Sequence, residues 1–158
     1  MNVKKMLPLG GFYHFGYVTR DLDAAIEILS NGFGVKRYRR KFNAPWLEVL
    51  HAWTGDVQIE VAQLHEGAPQ FYLDDVPERP GEMRLHHLGR RLRRQEEWHA
   101  LENAVAAAEL ATPLNVVMMD GHLRAIFVDT RALFGHYSEY LFFSGPALSL
   151  GDDIPRND

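Results

Sequence analysis

The chain has no cysteine, which excludes disulfides, thiolate nucleophiles and every metal centre built on sulfur. It has no apolar run near the roughly 18 residues of a membrane span, and Met1–Gly10, with two lysines, lacks the apolar stretch of a secretion signal. It also lacks a basic excess: 17 Lys and Arg stand against 21 Asp and Glu, so no positive field favours nucleic acid or anionic lipid. These absences predict a cytoplasmic protein that binds no nucleic acid and no membrane. Of its 158 residues 46% are hydrophobic, ample for one domain or two closely packed half-domains.

What is present is a repeat. The segment Tyr13-His14-Phe15-Gly16 shares its His-apolar-Gly pattern with Leu85-His86-His87-Leu88-Gly89. Each copy opens a short strand, then comes an amphipathic helix, then further strands, the last carrying a central carboxylate. That carboxylate is Glu60 in Val57–Val61 and Glu139 in Tyr137–Leu141, 46 residues after His14 and 52 after His87. Two nitrogens and two oxygens brought together by a duplicated unit make a divalent metal site. Without sulfur, imidazole and carboxylate suit Zn, Ni, Co, Mn or Fe.

Hydrophobic periodicity fills in the elements. Phe12–Thr19 alternates as a strand. Asp21 caps a helix through Leu22, Ala25, Ile26 and Leu29, which Asn31-Gly32 is expected to end. Val35–Lys41 reads as a strand with a basic outer surface, and Trp46–Trp53 and Val57–Leu64 as a hairpin turning at Thr54-Gly55-Asp56. The second half repeats the order: Leu85–Leu92, a helix over Glu96–Leu110, strands Asn115–Met119 and Leu123–Asp129, and a last strand in Gly135–Phe143. The expected organisation is one domain of α+β class: a βαβββ module over residues 12–65, a Pro- and Gly-rich linker over 66–84, a second βαβββ module over 85–143 and a loosely held tail over 144–158. Neither half buries its sheet alone, so the modules are expected to pair into one curved mixed sheet around a central metal cavity.

The segments "YHFGYVTRDLDAAIEIL", "VQIEVAQ", "LHHLG" and "DTRALFGHYSEYL" resemble the vicinal oxygen chelate superfamily, the glyoxalase, bleomycin-resistance and extradiol dioxygenase group, over roughly Phe12–Phe143. The spacing is most similar to the methylmalonyl-CoA epimerase and glyoxalase I branches. The resemblance implies a glyoxalase-like fold, a homodimer, and one metal held by His14, Glu60, His87 and Glu139. The epimerases tend to have Gln at the place of Glu60. It further implies a metal-dependent enzyme that chelates a small carbonyl or carboxylate substrate and transfers a proton, as an isomerase, epimerase or lyase. The alternatives are an Fe(II) ring-cleaving dioxygenase on His14, His87 and Glu139, and a metal-free, ligand-sequestering protein.

Glu60 and Glu139 are candidate bases if one loosens from the metal. Glu48 is a third, similar in place to a carboxylate proposed as base in the epimerases; its same-face neighbours Trp46 and Leu50 are expected to raise its pKa. Arg91 shares a face with His87 and is the candidate to hold the carboxylate or phosphate of an anionic substrate, while Trp46, Trp53, Phe127, Tyr137 and Phe143 either pack the core or line a pocket for an aromatic one. His86 is expected to point away from the site, and His51, His65, His99, His122 and His136 to be structural or solvated.

Overall fold

A computed structural model describes residues 7–158; the two lysines of the N-terminal stretch lie outside the described residues. In chain order the elements are β1 (Phe12–Thr19), α1 (Leu22–Phe33), β2 (Arg39–Ala44), β3 (Leu47–Thr54), β4 (Val57–Leu64), α2 (Gln70–Leu73), β5 (Met83–Leu92), α3 (Gln95–Ala108), β6 (Leu114–Met118), β7 (Leu123–Val128), α4 (Arg131–Phe134), β8 (Tyr137–Phe143) and β9 (Arg156–Asn157). Two compact units emerge. The first gathers His14–His87 and Gly151–Asp158, the second Leu88–Leu150 and the described residues up to Tyr13. Among the described residues no helix is long and apolar enough to cross a membrane.

In the first unit the strand order is β2-β3-β4-β1. β1 runs parallel to β4, the two being joined through α1, β2 and β3, and β3 is antiparallel to both β2 and β4. Side chains alternate across this sheet. Tyr17, Leu50, Ala52, Ile59 and Val61 meet the buried stripe of α1, formed by Leu22, Ala25 and Leu29. Asp21 caps α1 as expected, its carboxylate accepting from the Ala24 amide at 3.0 Å, and Gln63 of β4 accepts from the Leu22 amide at 2.7 Å. The helix does not stop at Asn31-Gly32. It continues to Phe33 and ends where Gly34 takes a left-handed conformation, φ 72°; that conformation, open to glycine at little cost, is the stop.

The tail is where expectation and structure part. Asn157 accepts from the Lys36 and Arg37 amides at 3.0 and 2.8 Å and donates to the Arg37 carbonyl at 2.6 Å. β9 adds to β3 in parallel at Trp53 and Thr54, beyond the end of β2. Ile154 is buried and the Arg156 guanidinium lies over the Trp53 ring. Residues rich in Gly, Pro and charge are held here by main-chain and side-chain hydrogen bonds together with the buried Ile154 side chain.

The second unit has antiparallel β6-β7-β8. Trp98, Leu101 and Val105 of α3 pack with Leu92, Ile126, Val128, Tyr140 and Phe142. Glu97 reaches back to the Arg93 and Arg94 amides at 2.8 and 3.0 Å, satisfying donors that the first helical turn leaves open.

Candidate metal centre

The face of the first unit's sheet opposite α1 carries the functional groups. On β1, His14, Gly16 and Val18 are buried in alternation. Pairing sets Gly16 beside Glu60, and Glu60 beside His51 on the next strand. His87, on β5, enters this face over Gly16. A methyl group at position 16 would lie 2.0 Å from His87 Cε1, so glycine there is the space the imidazole occupies.

Three expected ligands are thereby brought together. His14 Nε2 and His87 Nε2 are 3.1 Å apart, with the rings at 88° to one another, and His87 Nε2 is 3.6 Å from Glu60 Oε1. The donor atoms of all three lie within 4.8 Å of one another, and both histidines are almost wholly buried. Neighbouring ligands of an octahedral ion, each about 2.1 Å from the metal, stand about 3 Å apart, and those of a tetrahedral one slightly farther. These separations and the nitrogen-oxygen donor set fit a first-row divalent cation.

The hydrogen-bond network fixes which ring nitrogen of His87 is open. His86 Nε2 is 3.2 Å from the Phe71 carbonyl, which can only accept, so that nitrogen carries a proton. Neutral His86 then presents a lone pair at Nδ1, 2.9 Å from His87 Nδ1, which must donate. His87 is left with its lone pair on Nε2, facing His14 and Glu60. An outer residue that sets the tautomer of a ligand is a recurrent feature of metal sites. His86 is itself clamped by Tyr72, stacked on it at 4.2 Å and 8°. It is thus adjacent to the site chemically as well as in sequence, although not placed as a ligand.

His51 touches the site without being one of its expected ligands. Predicted to be structural or solvated, it is buried and its Nε2 donates to Glu60 Oε2 at 3.0 Å. The signal was in the hairpin: counting back from the closing pair Thr54 and Val57, His51 falls opposite Glu60. Burial pushes the Glu60 carboxyl up, but the His51 hydrogen bond, with the charge of the His51, His14 and His87 imidazoles, outweighs it and holds Glu60 well below the usual carboxylate range.

Glu48 is a correction. It shares a face with Leu50 as expected, but that face is the one covered by α1. Its carboxylate receives Arg40 Nε at 2.6 Å and His65 Nε2 at 3.0 Å. The Arg40 guanidinium holds it below the usual range, against the opposing push of burial and with help from His65, so the expected rise does not occur. In the second unit Glu139 is buried on β8, across from Phe127. Arg91, half-buried on β5, lies with its guanidinium over the Phe143 ring at 4.5 Å.

No protein-family model and no curated protein sequence matches the chain. Solved structures do. A methylmalonyl-CoA epimerase from Mycobacterium tuberculosis is 18% identical, with 91% of this chain and 97% of that one covered at a TM-score of 0.60. A Streptomyces coelicolor methylmalonyl-CoA epimerase variant in complex with 2-nitronate-propionyl-CoA is 15% identical, covering 87% and 100% at 0.60. A hypothetical protein from Bacillus halodurans is 16% identical, covering 86% and 96% at 0.57. At such identities the likeness speaks to fold alone, and the α+β fold these structures share is the one that the resemblance implies.

Proposed function

We propose that the chain is a metal-dependent enzyme that transfers a proton beside a carbonyl of a small substrate, as an epimerase or isomerase, with lyase chemistry a variation on the same step. The observation that carries this is the convergence of His14, His87 and Glu60 on one buried point. The epimerases of like fold, one of them bound to a CoA derivative, support a small carbonyl or carboxylate compound as substrate. A Zn, Ni, Co, Mn or Fe ion held there would supply Lewis acidity, drawing charge from two neighbouring substrate oxygens and stabilising the negative charge that deprotonation creates.

The chain's own residues divide the remaining work. His14 and His87 would hold the ion through Nε2, and Glu60 through Oε1, since Oε2 is engaged by His51. Glu139 is proposed from its place in the repeat as the fourth ligand and as the base. The competing carboxylates are otherwise engaged: Glu48 is ion-paired on the helix-covered face, and Glu60 has Oε2 on His51 and would give Oε1 to the ion. Arg91 is proposed to meet an anionic group of the substrate.

Elemental analysis of the purified protein, repeated on His87→Ala and Glu139→Ala, tests the reading. About one metal per chain, lost in both variants while circular dichroism is retained, is the expected result. Full metal content in both variants overturns it. Exchange of a substrate α-proton with deuterated solvent, dependent on that metal, is the expected activity.

A further inference from the structure

Behind Glu60 runs a chain of polar contacts that proton transfer itself does not call for. His51 Nε2 donates to Glu60 Oε2 at 3.0 Å, Arg39 donates to His51 Nδ1 at 3.4 Å, and Arg39 meets Asp153 at 2.5 Å. The side chain of His51 is 7% exposed and that of Arg39 14%, whereas Asp153 is 70% exposed on the C-terminal segment. The segment is anchored just beyond this contact, by buried Ile154 and by the Asn157 bonds to residues 36 and 37.

We propose that His51 is a positioning residue that presents Glu60 to the cation through Oε1, and that the C-terminal segment, acting through Asp153 and Arg39, holds His51 in the orientation and tautomer this requires. The proposal rests on the metal reading above. A guanidinium can only donate, so its approach to Nδ1 demands a lone pair there and leaves the His51 proton on Nε2, facing Glu60. With Oε2 so occupied, Glu60 offers one oxygen rather than two. Asp153 matters because Arg39 is otherwise a nearly buried cation: its Nε has no hydrogen-bond partner, and the carboxylate is what fixes the rotation of the guanidinium plane. The tail is on this reading the outermost support of the site.

The test uses the full-length, metal-free protein titrated with Zn(II), with a long-range proton-nitrogen correlation spectrum of its histidines recorded beforehand. The spectrum is expected to show His51 protonated on Nε2 and bare on Nδ1; the opposite tautomer overturns the proposal whether or not any variant folds. His51→Ala is expected to weaken Zn(II) binding by about 10- to 100-fold, as loss of an outer partner does. His51→Gln, whose amide nitrogen stands the same number of bonds from Cβ, is expected to recover most of that loss, because its N–H can still donate to Glu60 Oε2. Asp153→Ala, at the exposed end, is expected to cost about 2- to 5-fold. Binding by His51→Ala as tight as wild type, with Glu60→Ala weak, overturns this proposal alone. Wild-type binding that is absent, or indifferent to Glu60→Ala and His87→Ala, overturns the metal reading and this proposal together.

Discussion

The hairpin of β3 and β4 carries two glutamate-histidine pairs with the same 3.0 Å contact, Glu48 with His65 and Glu60 with His51, on its opposite faces. Both carboxylates are mostly shielded, each side chain 12% exposed. What differs is the cation. Glu48 also has Arg40, a permanent charge that in turn bridges to Asp23 of α1 at 2.5 Å, so this pair is electrically complete and ties helix to sheet. Among the described residues Glu60 pairs with imidazoles alone. Imidazoles neutralise a carboxylate only when protonated, and as metal ligands they must be neutral. One face thus balances its charge within the protein, while the other has the donor set of a site that completes its charge with an ion.

Removing each glutamate in turn gives the largest expected separation between the faces. Glu60→Ala should lower Zn(II) affinity by more than about 100-fold, beyond the 10- to 100-fold typical of outer partners. Glu48→Ala should leave Zn(II) affinity unchanged and lower the melting temperature instead, because Arg40 loses its buried partner. Calorimetric titration with thermal melts of the metal-free variants checks both. Equal losses of metal from the two variants would erase the distinction.

Gly16→Ala should come next. The added methyl falls 2.0 Å from His87 Cε1, and the ring is walled in by His86 and Tyr72, so it has little room to yield. Overpacking of this kind costs about 1–3 kcal/mol, and the displaced Nε2 should take most of the metal affinity with it. The same substitution at Gly32, where among the described residues no atom beyond the local helix backbone lies within 4 Å of the added carbon, is the matched control and should leave metal binding intact. Cobalt absorption spectra of the two variants distinguish a distorted site from an intact one.

Much of this was legible in the residues. The repeat of His-apolar-Gly followed by a carboxylate picks out His14, His87 and Glu60, because a duplicated unit places like residues in like positions. His51 has no counterpart in the second copy, so a search by repeat passes over it; strand register finds it, since the turn at Gly55 sets it across from Glu60. Sequence alternation puts Glu48 on one face with Leu50 but not in the environment the structure gives it. Leu50 beside it is apolar because it packs against α1, and the charge that governs Glu48 comes from Arg40, eight residues away on the next strand. The anchors of the tail are not legible locally: they link residues 120 apart, and no local pattern of glycine and proline reports that Asn157 will bond to Arg37.

The smallest expected effect lies in acid and sharpens the same comparison. The Glu48 carboxyl is depressed in the folded state, chiefly by Arg40. A depressed carboxylate contributes stability that is fully present above its unfolded pKa, about 4.3, and is lost as pH falls through its folded value. Glu48→Gln should therefore be less stable than the wild type at pH 7, and the gap should close as pH drops below about 4. Because the Arg40 side chain is a third exposed, solvent screening keeps the gap to about 1 kcal/mol or less. Urea denaturation of the metal-free protein at pH 7 and pH 3 measures it. A gap that persists unchanged at pH 3 would mean that packing, rather than the Arg40 pair, is what Glu48 contributes to its face.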